Sequence, residues 1–197
     1  SHAYIFNGPM GSGKKMTAGI FAETLQCERH GQEPCGTCHS CIQSESGNQP
    51  DIIWVHHEKP GSIGVDDVRE QVIGDMQIKP YSSRYKIYII DEAEKLTPQA
   101  QNALLKTIEE PPAYGIIILL TTNADTFLQT ILSRCVRLDF RPLRDTLVTQ
   151  YLQEKYDLTD YECRFATAFA QGKIGRAVTI ATSKEFAQLK EEVMHVI

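Results

Sequence analysis

The stretch Gly8-Pro9-Met10-Gly11-Ser12-Gly13-Lys14 matches the pattern G-x-x-x-x-G-K. It follows a short apolar run at residues 4–6 and precedes a helix-forming segment at residues 16–25, which is the context in which this pattern forms a P-loop. Glycines let the backbone wrap around an anion, and the N–H groups at the helix start point towards it. We therefore predict that this loop binds nucleotide phosphates. The residues concerned are Gly8, Gly11, Gly13 and Lys14.

The position after the loop departs from the pattern. A P-loop has Ser or Thr there, because the hydroxyl holds the Mg²⁺ ion of the nucleotide, whereas this chain has Lys15. An ammonium group cannot coordinate a cation. We therefore predict a degenerate nucleotide site, in which ATP and Mg²⁺ bind weakly and hydrolysis is slow or absent. The alternative is that the loop serves only as a tight turn between a strand and a helix.

Short apolar runs alternate with amphipathic segments along the first part of the chain. The runs are residues 4–6, 52–55, 86–90, 116–120 and 136–140, and the helical segments are residues 16–25, 65–76 and 98–109. Continuous apolar strands between helices are typical of a parallel sheet covered on both faces. We therefore predict an α/β fold, with a P-loop parallel sheet and flanking helices, over residues 1–142.

The sequence also marks boundaries. Thr97 followed by Pro98 favours a helix start, since the hydroxyl caps backbone N–H groups and proline suits the first helical position. The pair Pro111-Pro112 ends that helix. After Pro142 there is no β-rich run, and apolar residues recur at helical spacing. Residues 143–197 are therefore predicted to form a small all-α domain.

Composition and charge exclude several classes of protein. The 197 residues are 42% hydrophobic, enough for a packed core. No run of 18 apolar residues and no signal-peptide pattern occurs, so we expect a cytoplasmic protein with no membrane partner. A net charge of -5 argues against a charge-driven DNA-binding protein. Because the first strand begins within four residues of the chain start, we expect a truncated chain.

Two carboxylates end the apolar run at residues 86–90. In Ile89-Ile90-Asp91-Glu92, the first acid is placed to hold Mg²⁺ and the second to polarise an attacking water. Acidic residues at strand ends are common, but here a P-loop precedes them in the same α/β domain. Asp91 and Glu92 are therefore predicted to form a Walker B pair, whose activity depends on the metal that Lys15 disfavours.

Four of the six cysteines are clustered in the sequence. They are Cys27, Cys35, Cys38 and Cys41. This spacing is typical of a metal site rather than of a disulfide framework, and four thiolates suit structural Zn²⁺. We predict a zinc-binding insertion at about residues 27–41. His30 and His39 lie among the cysteines, so a histidine replacing one thiolate stays open as the lesser alternative.

Three polar residues outside these motifs are candidate site residues. Asn123 follows an apolar strand and either senses a γ-phosphate or caps the next turn. Arg134, just before the last strand, is either an ordinary surface charge or an arginine finger that reaches a neighbouring subunit's nucleotide. Arg176 follows Gly172-x-x-Gly175 and either reaches the phosphates at the P-loop or makes an interdomain ion pair.

Five stretches together resemble motifs of bacterial clamp-loader subunits, in the same order. They are residues 1–6 leading into the P-loop, the four-cysteine insertion, residues 91–96, residues 101–112 and Ser133-Arg134-Cys135. The resemblance covers about residues 1–182. It implies the AAA+ fold, with a helical lid after the α/β domain and a collar domain that we expect this chain to lack.

The resemblance also implies a function and partners. The subunits form a ring that opens the sliding clamp and places it on primed DNA, so gamma/tau and delta subunits are the expected partners, and the isolated chain is expected to be monomeric. Gamma/tau ATPase subunits carry Thr where Lys15 stands. The delta prime subunit is a stator with little nucleotide turnover that offers its Ser-Arg-Cys arginine, here Arg134, in trans. Lys15 therefore favours the delta prime type.

Two alternatives belong to other functional classes. An active ATPase of gamma/tau type requires the hydroxyl that position 15 lacks. A free-standing zinc-containing DNA-binding module is disfavoured by the acidic pI of about 5.7 and by the lack of a basic, aromatic-interleaved stripe.

Overall fold

Five parallel strands form one sheet, in the order β2-β3-β4-β1-β5, in the computed structural model of the chain, which describes residues 1–57 and 59–183. The strands are β1 (Ala3–Asn7), β2 (Ile52–Trp54), β3 (Lys86–Ile90), β4 (Gly115–Thr121) and β5 (Val136–Asp139). Each strand coincides with a predicted apolar run to within one or two residues. The predicted α/β fold with a parallel sheet is confirmed.

The register of the sheet brings the carboxyl ends of several strands to one edge. Asn7 pairs with Thr121 on one side and with Asp139 on the other. The central strands β3 and β4 are buried along their whole length, which explains their continuous apolar sequences. Because the strands are parallel, the polar residues that follow β3 and β4 lie at the same edge of the sheet.

The helices confirm the alternating pattern. They are α1 (Lys14–Gln26), α2 (His39–Glu45), α3 (Val65–Val68), α4 (Pro98–Glu109), α5 (Gln129–Leu132), α6 (Asp145–Lys155), α7 (Asp160–Ala170) and α8 (Ile174–Thr182). The predicted bounds of α4 are confirmed, and the Ala100 N–H donates to Thr97 Oγ1 over 3.2 Å as the predicted cap. None of the helices in the described ranges is long and apolar enough to span a membrane.

The predicted helix at residues 65–76 is not one regular α-helix. It continues from α3 as a π-helix over Arg69–Gly74 and ends in a 3₁₀ turn over Asp75–Gln77. Val68, Val72 and Met76 are fully buried, and their spacing of four residues places them on one face of an α-helix as well. Sequence periodicity alone could not show this change of helix type.

The chain divides into two compact units. Among the described residues, the first comprises Ser1–Asn7 and Lys14–Asp139, and the second comprises Gly8–Gly13 and residues 140–183. The predicted division placed the whole P-loop stretch with residues 1–142. Within the second unit the Gly175 N–H donates to Gly11 O over 2.8 Å, and the boundary at residue 142 stays a prediction.

The second unit has its own helical core. Its helices α6, α7 and α8 bury the side chains of Val148, Leu152, Cys163, Ala166, Ala170, Ile174, Ala177 and Ala181. A capping box begins α7, with the Thr159 N–H donating to Glu162 Oε2 over 2.7 Å. The predicted helical character after residue 142 is confirmed for the described part. Residues 184–197 of the predicted domain 143–197 lie outside it.

Candidate functional site

The predicted phosphate loop has a backbone that requires its glycines. Gly11 and Gly13 have positive φ angles of 78° and 91°, a region that glycine adopts without steric cost. A Cβ on Gly8 would lie 2.7 Å from Phe140 Cβ, closer than two carbon atoms can pack. Each of the three predicted glycines is therefore needed for the shape of the loop.

Ser12 provides a buried polar side chain within the loop. Ser12 Oγ is buried and has no hydrogen-bond partner within the described ranges. A Cβ on Gly11 would lie 3.2 Å from the backbone N of Arg176, so the loop packs closely on the first turn of α8, where Arg176 is exposed. A buried hydroxyl without a partner and a glycine-lined turn fit a bound phosphate.

Lys14 begins α1 and is only 9% exposed. Burial lowers the pKa of Lys14, while the negative charges of Glu94 and Asp91 act in the opposite direction. The predicted phosphate-binding lysine and the predicted metal-binding carboxylate therefore belong to one electrostatic environment at the edge of the sheet.

Lys15 forms an ion pair with Asp91. The Nζ and Oδ2 atoms are 3.3 Å apart, and the two side chains are 69% and 41% exposed. The same ammonium lies 5.2 Å from the centroid of the Trp54 ring, within range of a cation–π interaction. So exposed a pair contributes little to stability. Its consequence is chemical, because the carboxylate predicted to hold Mg²⁺ already has a cation beside it.

Glu92, the second acid of the predicted Walker B pair, is paired with Lys95 and lies near His57. Its Oε2 atom lies 2.6 Å from Lys95 Nζ and 3.7 Å from His57 Nε2. Its backbone has a φ of 50°, a left-handed conformation that costs about 1 kcal/mol or more in a residue other than glycine.

Glu94 is a site residue that the sequence analysis missed. Its Oε1 atom accepts a hydrogen bond from Thr122 Oγ1 (2.6 Å), and its Oε2 atom accepts one from the Thr122 N–H (3.3 Å). Burial favours the neutral acid, but hydrogen bonds to the carboxylate, first among them that from the Thr122 hydroxyl, outweigh it and lower the pKa of Glu94. The only sequence signal was its place shortly after Asp91, because Thr122 is 28 residues away.

Asn123 and Asn7 use their side chains at the ends of strands. Asn123 Oδ1 accepts a hydrogen bond from the Asp125 N–H (3.0 Å), which is the capping geometry among the two predicted alternatives. Asn7 Oδ1 accepts one from the Ala124 N–H (3.2 Å), and its Nδ2 donates to Asp139 Oδ1 (2.7 Å). The amide of Asn7 therefore links the ends of β1, β4 and β5.

Arg134 lies between α5 and β5, with a side chain that is 39% exposed. Its Nε lies 2.9 Å from Glu109 Oε1, and its Nη1 donates to Thr130 O (2.9 Å) and Ser133 Oγ (3.1 Å). These contacts order the guanidinium at the surface of the first unit. An ordered, exposed guanidinium is suited to contact an anion on another molecule.

The structure brings the four predicted metal-binding cysteines together. The Sγ atoms of Cys27, Cys35, Cys38 and Cys41 all lie within 4.8 Å of one another. Tetrahedral zinc with Zn–S bonds of about 2.3 Å would place the sulfurs about 3.8 Å apart, and the Cys35 and Cys41 sulfurs are 4.0 Å apart. Among the described residues, His30 and His39 are not part of this group. The donor set therefore fits a four-thiolate metal site.

Hydrogen bonds support thiolates at part of this cluster. The Cys38 N–H donates to Cys35 Sγ, and the Cys41 N–H donates to Cys38 Sγ, each over 3.4 Å. Bonds from Thr37 and Cys38 lower the pKa of Cys35 to about 6. Burial raises the pKa of Cys41 to about 12, so that thiol needs a bound cation to ionise near neutral pH.

Comparison with known proteins shows the family. The family model for the DNA polymerase III delta subunit matches residues 1–144. Subunit tau/gamma of DNA polymerase III from Haemophilus influenzae is 38% identical over 186 residues, which cover 91% of this chain and 26% of that protein. Subunit delta' from Bacillus subtilis is 34% identical over 195 residues, which cover 98% of this chain and 58% of that protein.

Solved structures agree with the fold. A gamma-subunit-related protein from Thermotoga maritima superposes with a TM-score of 0.57 at 24% identity, covering 98% of this chain and 57% of that one. The RuvB Holliday junction branch migration motor from the same organism gives 0.57 at 15% identity, covering 91% and 53%. The chain thus spans only part of its relatives' length. By its match to the family model, it belongs to the clamp-loader subunits of DNA polymerase III, which are of the AAA+ type.

Proposed function

We propose that this chain is the nucleotide-binding-module portion of a delta prime subunit. In this role it helps an ATP-driven ring to load the sliding clamp onto primed DNA. Its own P-loop turns over little or no ATP, and it offers Arg134 to a nucleotide held by a neighbouring subunit. The observation that supports this most is the Lys15–Asp91 ion pair.

Lys15 disfavours metal binding in two ways. Lys15 replaces the hydroxyl that would hold Mg²⁺, and its ammonium neutralises the Asp91 carboxylate at 3.3 Å. Asp91 would hold the Mg²⁺ ion, which when bound would offset the charge that develops on phosphoryl transfer. Lys14 and the loop N–H groups still suit a phosphate, so weak nucleotide binding without efficient hydrolysis is the expected behaviour.

Arg134 suits an action in trans. An arginine finger stabilises charge on a departing γ-phosphoryl group and needs no nucleotide in its own subunit. The Arg134 side chain is partly exposed and held by ordered contacts. A subunit with a degenerate P-loop can therefore still contribute to catalysis at its neighbour.

The cysteine cluster has a structural role in this proposal. Four thiolates would close the coordination sphere of Zn²⁺ and leave no position for a substrate. The cluster lies in the chain segment between α1 and β2, where a bound metal would stiffen a surface excursion. Gamma/tau and delta subunits, with the clamp and primed DNA reached through the assembled complex, are the proposed partners.

A gamma/tau-type ATPase is the second candidate, favoured by the intact Asp91-Glu92 pair and by identity to tau/gamma relatives as high as that to delta'. Equilibrium binding of ATP, with and without Mg²⁺, separates the two for the wild type, Lys15→Thr and Lys15→Ala. We expect Lys15→Thr to gain about tenfold or more in Mg²⁺-dependent affinity, equivalent to 1.4 kcal/mol per tenfold. Lys15→Ala removes the ammonium without adding a hydroxyl and should gain less.

The binding of Mg-ATP by the wild type distinguishes the two candidates. Tight Mg-ATP binding and multiple-turnover hydrolysis by the wild type would make the active ATPase the better account. The trans role is tested in the assembled loader, where Arg134→Ala should reduce DNA-stimulated ATP hydrolysis about 10²-fold or more at the site it serves. An unchanged rate at that site would rule out Arg134 as an arginine finger.

A further inference from the structure

The backbone around Arg134 is anchored to the core of the first unit. The N–H groups of Arg134 and Cys135 both donate to Ile131 O, over 3.0 and 3.2 Å. Ile131 is fully buried. With the backbone fixed in this way, the direction of the guanidinium depends on the contacts of its side chain.

Those contacts come from two different helices. Thr130 and Ser133, at the end of α5, accept hydrogen bonds from Nη1. Glu109, the last residue of α4, lies 2.9 Å from Nε and is the one carboxylate paired with Arg134 among the described residues. A guanidinium has five N–H donors in a fixed plane. Contacts at Nε and Nη1 therefore define the plane in which the two Nη2 donors lie.

The position of Glu109 is unfavourable for its own helix. The C-terminus of a helix carries partial negative charge, which disfavours a carboxylate in the last turn. Helix α4 is firmly held there, because Ile108 is 1% exposed and the Glu110 N–H donates to Lys106 O over 2.9 Å. The guanidinium of Arg134 offsets the unfavourable charge, and the rigid helix end in return gives Arg134 a fixed anionic partner.

We propose that Glu109 is a positioning residue for Arg134. From the end of α4 it holds the Nε side of the guanidinium, so that the remaining donors are presented in one orientation to an anionic phosphoryl group on a neighbouring subunit. This inference rests on the proposed function, in which Arg134 acts in trans. An arginine without such a partner would distribute among many rotamers and be oriented for catalysis less often.

A restraining role for Glu109 predicts a change in kcat of the opposite sign. If Glu109 restrained Arg134 away from the phosphate, removing its charge would raise the rate of the neighbouring site. A positioning role predicts a fall. The direction of the change in kcat therefore distinguishes the two.

The test uses the full-length protein in the reconstituted clamp loader, with DNA-stimulated ATP hydrolysis as the readout. The variants are Glu109→Gln, Arg134→Ala, the double variant and the control Glu110→Gln. Glu110 follows directly in the chain and has no ion pair among the described residues. We expect Glu109→Gln to lower kcat about two- to fivefold, the range that a partly exposed ion pair supports, with KM for ATP unchanged. The control should match the wild type.

The double variant separates positioning from a purely structural role. If Glu109 acts only through Arg134, the double variant has the kcat of Arg134→Ala. If the kcat loss of the double variant instead equals the product of the losses of the two single variants, the inference is overturned. It is also overturned if Arg134→Ala lowers kcat while Glu109→Gln leaves it unchanged or raises it. An unaffected Arg134→Ala would overturn the proposed function itself. If Glu109→Gln fails to assemble, Glu109→Asp replaces it. We expect an intermediate kcat, because the shorter side chain places its carboxylate farther from Arg134.

Discussion

At the scale of single residues, a few side chains set the chemistry of the P-loop site. Lys15 was recognisable from its place after Lys14, but its pairing with Asp91 at 3.3 Å joins residues far apart in the chain. The link between Glu94 and Thr122 is of the same kind. Sequence motifs identify which residues have the right chemistry, whereas their partners depend on strand register, which a single sequence does not give.

Glu94 leads to a prediction about pH. Its pKa lies below the ordinary value of 4.5 in the folded chain, so the fold favours the carboxylate. The stability that this provides is present above pH 4.5 and is lost as the pH falls through the folded-state pKa. We expect Glu94→Gln to lower the free energy of unfolding by up to about 1 kcal/mol near pH 7, since the group is partly exposed and solvent screens it. Near pH 3 we expect a smaller decrease.

Urea unfolding followed by the fluorescence of Trp54, the single tryptophan, measures this difference between pH 3 and pH 7. Substitution of the exposed Glu70 by Gln provides the control and should leave the pH dependence of wild type unchanged. A Glu94→Gln curve parallel to that of the wild type over the whole range would contradict the prediction.

At the scale of elements, the helices and strands formed by local interactions were predicted well, and those that depend on contacts between distant residues were not. The strands and α4 were predicted closely, because continuous apolar runs and the Thr97-Pro98 start are local signals. The π-helix at Arg69–Gly74 was not predicted. Its 3₁₀ end is held by Lys86, whose Nζ donates to Asp75 O over 2.9 Å, and a contact across that distance in sequence is invisible to local periodicity.

The start of α4 provides a prediction at this scale. Thr97 accepts a hydrogen bond from the Ala100 N–H, and loss of such a cap typically costs about 1 kcal/mol. We expect Thr97→Ala to lower the free energy of unfolding by about that amount in the Trp54 assay. Thr97→Ser keeps the hydroxyl and should retain most of the stability. Equal losses in both variants would indicate that the methyl group, rather than the cap, stabilises the helix.

At the scale of the whole molecule, the cysteine cluster is connected to the sheet through polar side chains. Gln49 donates to Ser40 Oγ in α2 (2.8 Å) and to Ser83 Oγ (3.0 Å). Asp51, 1% exposed, accepts hydrogen bonds from the N–H groups of residues 81–83. The insertion was predictable from cysteine spacing. Its connection to the loop before β3 was not, because polar side chains in loops carry no pattern.

These contacts predict how far the loss of the metal would spread. We expect the wild type to hold one zinc equivalent and the Cys38→Ser variant, which lacks one thiolate, to hold much less, as measured by plasma mass spectrometry. Because metal binding contributes to folding, amide hydrogen exchange should rise in residues 27–48. Exchange in the fully buried strands β3 and β4 should stay slow.

Cys163→Ser, in the separate helical core, is the control and should keep the zinc. A wild type without zinc would contradict the metal site, and faster exchange throughout β3 would show that the cluster stabilises the sheet as a whole.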